Sequence, residues 1–500
     1  MKKHWIILAL LSLGLLLAGC DKQPAGNEDV NTETEEARET RKLRYYANTF
    51  ARNYMDVYYL WNKEIASGIK AWKDTDEPIS KVDELRYKDA SGKDIDKWTM
   101  LTDDFSSFYG SVSGTEKTYG FDFILMYLDS SHTTICAVVT YTYADSPAAA
   151  AGLKRGDVIV EVNGKTMTGT NYSKIVNNEL LGGDKLTVSL YDGGSKTMTS
   201  KEMYENPVLI SKVFDCGDKK VGYLFYTSFT LDSCKDLVTA CKSFKEAGVT
   251  ELILDLRYNG GGFVITEGAL ASMLAPEAEV KAGSVLSTQV YNADLTAYFQ
   301  QSGSDTKTYF KTEFNIGSSN DPVMVSTAGA NIGLTKLYGI ISSGSASASE
   351  ALLCDLYPYM DVTLIGEQSH GKYCSGTMWE AEEFFTTYAG DLGASVAAEG
   401  KRYTKNWGIY LMVSRFADKN GETRCMPDGL KPDYPAEDVP YDGYQLGDPQ
   451  ETMLARALAL CGYKAKAQAA RRPAVEPGER IGTEPHRADF GRFILLPEQF

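Results

Sequence analysis

With 500 residues, 43% of them hydrophobic, the chain has the composition of a folded protein and is too long for one ordinary core, so two to four domains are expected. A formal net charge of −16 speaks against nucleic acid as a partner and names no substrate. Nine cysteines without a Cys-x-x-Cys pair argue against a zinc site, and neither a metal nor a cofactor is expected.

The chain opens with Met1-Lys2-Lys3-His4, an apolar run from Trp5 to Leu17, and Leu16-Leu17-Ala18-Gly19-Cys20. The run is short for a spanning helix and reads as a secretory signal. With cysteine at the cut it resembles a bacterial lipoprotein signal, residues 1–20. That resemblance implies a lipid on Cys20 and a body held at the membrane, outside the cytoplasm, at the periplasmic face or the cell surface. An uncleaved anchor would leave the body on the same side. Disulfides are permitted there, but buried free thiols are the expected state for several of the remaining cysteines.

Residues 21–41 are polar and acidic and read as a tether. Over 42–112, Tyr46, Phe50, Tyr54, Val57, Tyr58 and Trp61 recur at helical spacing. An aromatic stripe of this kind is far more often core than ligand face, so a small N-terminal helical domain is expected. Residues 113–206 alternate strands with short helices. Gly120-Phe121-Asp122-Phe123 opens a strand, Ser146 to Leu153 forms a short helix, and Gly156-Asp157-Val158-Ile159-Val160-Glu161-Val162-Asn163-Gly164 gives turn, strand and turn. Together they resemble a PDZ domain, with a small structural β module as the alternative. The resemblance implies that Gly120, Phe121, Asp122 and Phe123 form the loop whose N–H groups hold a peptide carboxylate while the peptide adds as a strand.

Residues 207–463 read as a catalytic core. A strand at 221–226, an amphipathic helix at 231–247 and a buried strand at 252–256 give a β-α-β alternation. Gly260-Gly261-Gly262 follows, and a glycine run after a strand lets the backbone approach a ligand closely. Neither dinucleotide nor Walker spacing is present. Farther on, Gly344-Ser345-Ala346-Ser347-Ala348-Ser349-Glu350 lies between an apolar strand and the helix Ala351 to Leu356. Such small residues allow a sharp strand-to-helix turn that leaves one hydroxyl at a helix N-terminus, where free N–H groups favour developing negative charge. A serine there needs a base, and a lysine serves when burial leaves its amine neutral. Lys372 follows the strand Val362-Thr363-Leu364-Ile365. The plain alternative for the serine run is a capped helix start. Residues 464–500 turn rich in Arg, Pro and Gly, and no role is read for them.

Taken together, Asp255-Leu256-Arg257-Tyr258-Asn259-Gly260-Gly261-Gly262, Ser345 to Glu350 and Lys372 resemble the S41 family of carboxyl-terminal processing peptidases. The resemblance covers roughly Tyr45 to Tyr463. It implies a multidomain α/β fold with a serine-peptidase core of the ClpP/crotonase-like type. It also implies Ser347 as nucleophile and Lys372 as general base. The oxyanion would be held by the N–H of Ala348 with that of Gly261 first and Gly262 next. The family commonly places a lysine-orienting glutamine where this chain has Gly376; Tyr373, Ser375, Thr377 or Glu350 are the substitutes to weigh. His370 is a rival base, two residues from Lys372. Three functions stand: a serine endopeptidase acting on protein or peptide C-termini, a lipid-anchored PDZ scaffold with an inactive core, and an acyl-transfer enzyme on a non-peptide ester.

Overall fold

The computed structural model describes residues 34–464, 477–482 and 492–497. The signal, Cys20 and the tether up to residue 33 lie outside the described residues.

The chain forms two compact units. The first gathers residues 34–105, 290–305 and 376–415. Its long helix α1, Glu35–Tyr58, begins inside the stretch expected to be tether. Thr34 caps it by accepting the Ala37 N–H, and Glu35 and Glu36 sit in the first turn, where a helix favours negative charge. The aromatic stripe is core: Tyr46, Phe50, Tyr54 and Tyr58 pack on Phe385, Phe384 and Trp379.

The second unit holds two sheets that matter here. One contains β1 (Phe121–Tyr127), β2 (Thr134–Thr142), β3 (Val158–Val162), β4 (Lys165–Thr168), β5 (Lys185–Leu190) and β6 (Ser195–Thr199), in the order β1-β2-β4-β3-β5-β6. Phe123, Leu125, Ile135, Ala137, Ile159, Val188 and their neighbours make its own core. The other contains β7 (Val208–Cys216), β8 (Lys219–Tyr226), β9 (Val249–Asp255), β11 (Lys336–Ile341), β12 (Asp361–Gly366) and β13 (Tyr434–Pro435). They lie in that order; β7 is antiparallel to β8, and all later pairings are parallel. Between β9 and β11 in sequence come the short strand β10 (Gly261–Phe263) and helix α3 (Val264–Leu274). Helix α2, Ser233–Ala247, crosses from β8 to β9 and ends at Gly248 in the left-handed conformation.

Parallel strands buried on both faces read as continuous apolar runs, and β8 and β11 do. Tyr223, Phe225, Ile253, Ile340 and Ile365 face the helix α5, Thr452–Leu460, through Met453, Leu454 and Leu458. On the opposite face lies α4, Ala348–Leu356, buried along its whole length. Gly339 of β11 makes that approach feasible, because Leu353 of α4 and Leu364 of β12 fill the space a Cβ would need.

The unit's topology positions the site. In parallel sheets, ligands bind at the carboxyl ends of the strands. The loops that leave adjacent strands β9, β11 and β12 carry 256–262, 342–347 and 367–372 respectively. The three sequence motifs, far apart along the chain, therefore meet at one edge.

Candidate active site

Ser347 is fully buried and has φ 63° and ψ −112°, a conformation L-residues rarely adopt. Such strain costs of order 1–3 kcal/mol and persists only where the surroundings over-determine it. Here they do. Asn259 O accepts both Ala346 N–H (3.1 Å) and the Ser349 hydroxyl (2.9 Å), and the Ser345 hydroxyl donates to Leu256 O at 2.8 Å. Asn259 is itself pinned by its Nδ2, which donates to Tyr226 O at 3.0 Å. Ser347 Oγ is buried without a hydrogen-bond partner, as a hydroxyl kept for a substrate would be.

Glu350 ties the parts together. Its Oε2 accepts the backbone N–H of Ser347 and that of Lys372, each at 2.9 Å. Its Oε1 accepts Gly371 N–H at 2.7 Å and the Ser369 hydroxyl at 2.5 Å. One carboxylate thus holds the serine and the lysine backbones to the same oxygen atom. Burial pushes its pKa up to about 7 against the pull of those four donors. The Lys372 side chain is fully buried, whereas His370 is half-buried and its N–H goes to Ser345 O at 3.0 Å.

Of the four residues weighed in place of the glutamine, Glu350 accepts the Lys372 backbone N–H with its side chain. Ser375 instead gives its hydroxyl to Gln289 Oε1 at 3.0 Å. Position 376 itself has no room, because a Cβ there would collide with Tyr410 and Met412.

On the oxyanion side, Ala348 is the first residue of α4, so its N–H belongs to the unsatisfied first turn. Gly261, the first choice from sequence, already gives its N–H to Asn259 Oδ1 at 2.9 Å. Gly262 differs. Phe229 bonds to the flanking residues, receiving Phe263 N–H and donating to Gly261 O, so Gly262 turns its own N–H and carbonyl to the other side. Both glycines need φ values of +111° and +141°, and a Cβ at Gly261 would strike Ser347 Cβ. The loop predicted to hold a carboxylate lies apart from these residues, at the start of β1. Within it, Gly120 N–H goes to Thr118 Oγ1 at 2.9 Å and Phe123 N–H to Asp122 Oδ1 at 2.7 Å.

Residues 220–436, which contain this whole arrangement, match Peptidase family S41. Residues 138–177 match the PDZ domain. The chain is 27% identical over 339 residues to the carboxy-terminal processing protease CtpA of Bacillus subtilis, covering 64% of this chain and 60% of that one. It is 26% identical over 251 residues to CtpB of the same organism, covering 49% and 45%. It thus spans three fifths or less of the length of these curated relatives. A crystal structure of a candidate S41 protease from Bacteroides fragilis shares the fold, with a TM-score of 0.60 at 24% identity over 82% of this chain and 96% of that one.

Two features of this core carry no reading in the sequence analysis: the bracing role of Asn259 and the Ser369 hydroxyl on Glu350. Asn259 carried a signal, since Asn beside glycines is a common source of local backbone hydrogen bonds. Ser369 carried none.

A buried ionic cluster supports the loop beneath the glycines. Arg257 bonds Asp255 Oδ2 (2.7 Å), both oxygens of Glu451 (2.7 and 2.9 Å) and Asp438 Oδ1 (3.0 Å). Arg155, from the PDZ-matching segment, reaches Asp438 (2.9 Å), Glu451 (3.3 Å) and the Tyr258 hydroxyl (2.9 Å). Elsewhere, between α3 and α4, Glu267 and Asp355 are buried with Glu267 Oε1 and both Asp355 oxygens lacking hydrogen-bond donors.

Proposed function

We propose that this protein is a serine endopeptidase of the cell envelope, using a Ser347–Lys372 dyad on extended protein or peptide segments presented through their C-termini. Lipid attachment at Cys20 would hold it at the membrane. The observation that carries the reading is the single Glu350 oxygen shared by the Ser347 and Lys372 N–H groups.

In this reading Ser347 Oγ attacks the scissile carbonyl carbon and its proton passes to Lys372 Nζ. The negative charge forming on the carbonyl oxygen is met by the N–H of Ala348 and, with Gly261 N–H committed to Asn259, by that of Gly262. Lys372 then gives the proton to the leaving amine, and water repeats the sequence on the acyl-enzyme. The base must be neutral before attack, and complete burial of an amine disfavours its charged form. Full burial of Lys372 against partial exposure of His370 favours the lysine.

Hydrolysis of an unstructured protein by the full chain tests the reading. Ser347→Ala and Lys372→Ala should each lower kcat by ~10³-fold or more, with His370→Ala close to wild type. Cleavage that survives Lys372→Ala but not His370→Ala would move the base to histidine. No cleavage by any form would favour a PDZ scaffold, and Ser347-dependent ester hydrolysis with proteins left intact would change the substrate class.

A further inference from the structure

The stretch after residue 464 had no role in the sequence, yet its described parts lie on the two strand edges that matter most. Residues 478–481 run antiparallel along the far end of β1, the strand that opens with the Gly120–Phe123 stretch. Gly478 N–H donates to Tyr127 O (2.8 Å), Tyr127 N–H to Glu479 O (2.9 Å) and Ile481 N–H to Leu125 O (2.8 Å). Arg480 is paired with Met126, and Ile481 packs on the core of that sheet. This is strand addition, the mode by which an extended peptide joins an exposed sheet edge.

Farther along, β14, Arg492–Leu495, pairs in parallel with β10. The register is Gly261 to Arg492, Gly262 to Phe493 and Phe263 to Ile494. β14 therefore takes the side to which Gly262 turns its N–H. The point where Gly261 lacks a Cβ is pressed by the Arg492 carbonyl oxygen and by Ser347 Cβ together. Ile494 and Leu495 are buried, at 0% and 2% exposure.

We propose that residues 477–482 and 492–497 act as an intramolecular pseudo-substrate, the first lying where the peptidase would read an extended chain and the second where it would cut one. The inference rests on the function proposed above. The same backbone groups cannot bond to a substrate strand and to this segment at once. A tethered competitor also acts at an effective concentration near the millimolar range, so a weak strand suffices. The segment further indicates what substrates resemble: extended chains with adjacent apolar side chains in the places of Ile494 and Leu495.

The test uses the full chain. Ile494→Asp puts a charge at a dry position and should expel β14, raising kcat/KM on an unstructured protein about tenfold or more. Ile481→Asp, at the other edge, should raise it less and guards against a folding defect at 494. A synthetic peptide of residues 477–497 added to the Ile494→Asp protein should inhibit competitively, raising KM and leaving kcat unchanged. Unchanged or lower kcat/KM in both variants, at wild-type melting temperature, overturns the proposal, and so does a peptide that fails to compete. Removal of the segment by wild type but not by Ser347→Ala, read by intact mass, would make it a substrate and overturn inhibition. Should no form hydrolyse protein, the peptidase reading fails on its own. Hydrogen exchange then still decides: adding an extended apolar peptide to Ser347→Ala should speed exchange at the Gly478 and Ile481 amides, and unchanged exchange sinks the proposal.

Discussion

Two buried acidic regions of the same unit solve the burial of carboxylates in opposite ways. Beneath the glycine loop, Asp255, Asp438 and Glu451 share two guanidinium groups. Burial pushes Asp438 up, but Arg155 and Arg257 together outweigh it and hold its carboxyl at about 2. Asp255, which shares Arg257 with two other carboxylates, stays above its ordinary range because burial wins. Between α3 and α4, Glu267 Oε1 and both Asp355 oxygens have no hydrogen-bond partner among the described residues. Burial pushes Glu267 up to about 8, and burial followed by the charge of Glu267 drives Asp355 well above its ordinary range. Glu350 stands between the extremes at about 7, supplied with dipoles rather than a cation. The comparison teaches that burial alone does not fix a carboxyl's charge here; the identity of its donors does.

The largest expected effect comes from breaking the paired region. Arg257→Met leaves three carboxylates to Arg155 and should lower unfolding free energy by ~3–5 kcal/mol, read by denaturant titration. The unpaired region should respond in the opposite sense. A folded-state pKa raised above the unfolded value means that the native chain holds a proton the unfolded chain has released. Glu267 therefore contributes fully below about 4.5 and loses that contribution as pH rises toward about 8. Wild type should lose up to ~1.4 kcal/mol per pH unit from this group within that window. Glu267→Gln should flatten the slope in melts from pH 5 to 9; parallel slopes would refute the assignment. The smallest effect is expected at Glu350. Glu350→Gln turns an amide donor toward N–H groups that need an acceptor, and it should cut kcat about tenfold to a hundredfold. It should also remove the loss of wild-type activity as pH falls below about 7, where the carboxylate begins to take up a proton.

Much of this was legible in the sequence because it is local. Small residues around 344–349, the glycines at 260–262 and the apolar strands before them mark sharp turns at strand ends, and the folded chain has such turns there. What brings those turns together was not legible. Glu350 collects donors from residues 347, 369, 371 and 372, and only the parallel pairing of β11 with β12 makes them neighbours. The preference for Gly261 over Gly262 turned on which N–H Asn259 captures, a matter of side-chain reach that spacing does not encode. The helix start at Glu35 was hidden by acidic composition that a first turn welcomes. The surrounding Arg, Pro and Gly hide the apolar pair Ile494 and Leu495, whose burial goes with ordinary strand pairing.

Arg155 carries a consequence for such an enzyme. It stands in the PDZ-matching segment, yet its guanidinium is bolted to Tyr258, Asp438 and Glu451 at the root of the glycine loop. Under the function proposed above, the part that would hold a chain's end and the part that would cut it share one mount.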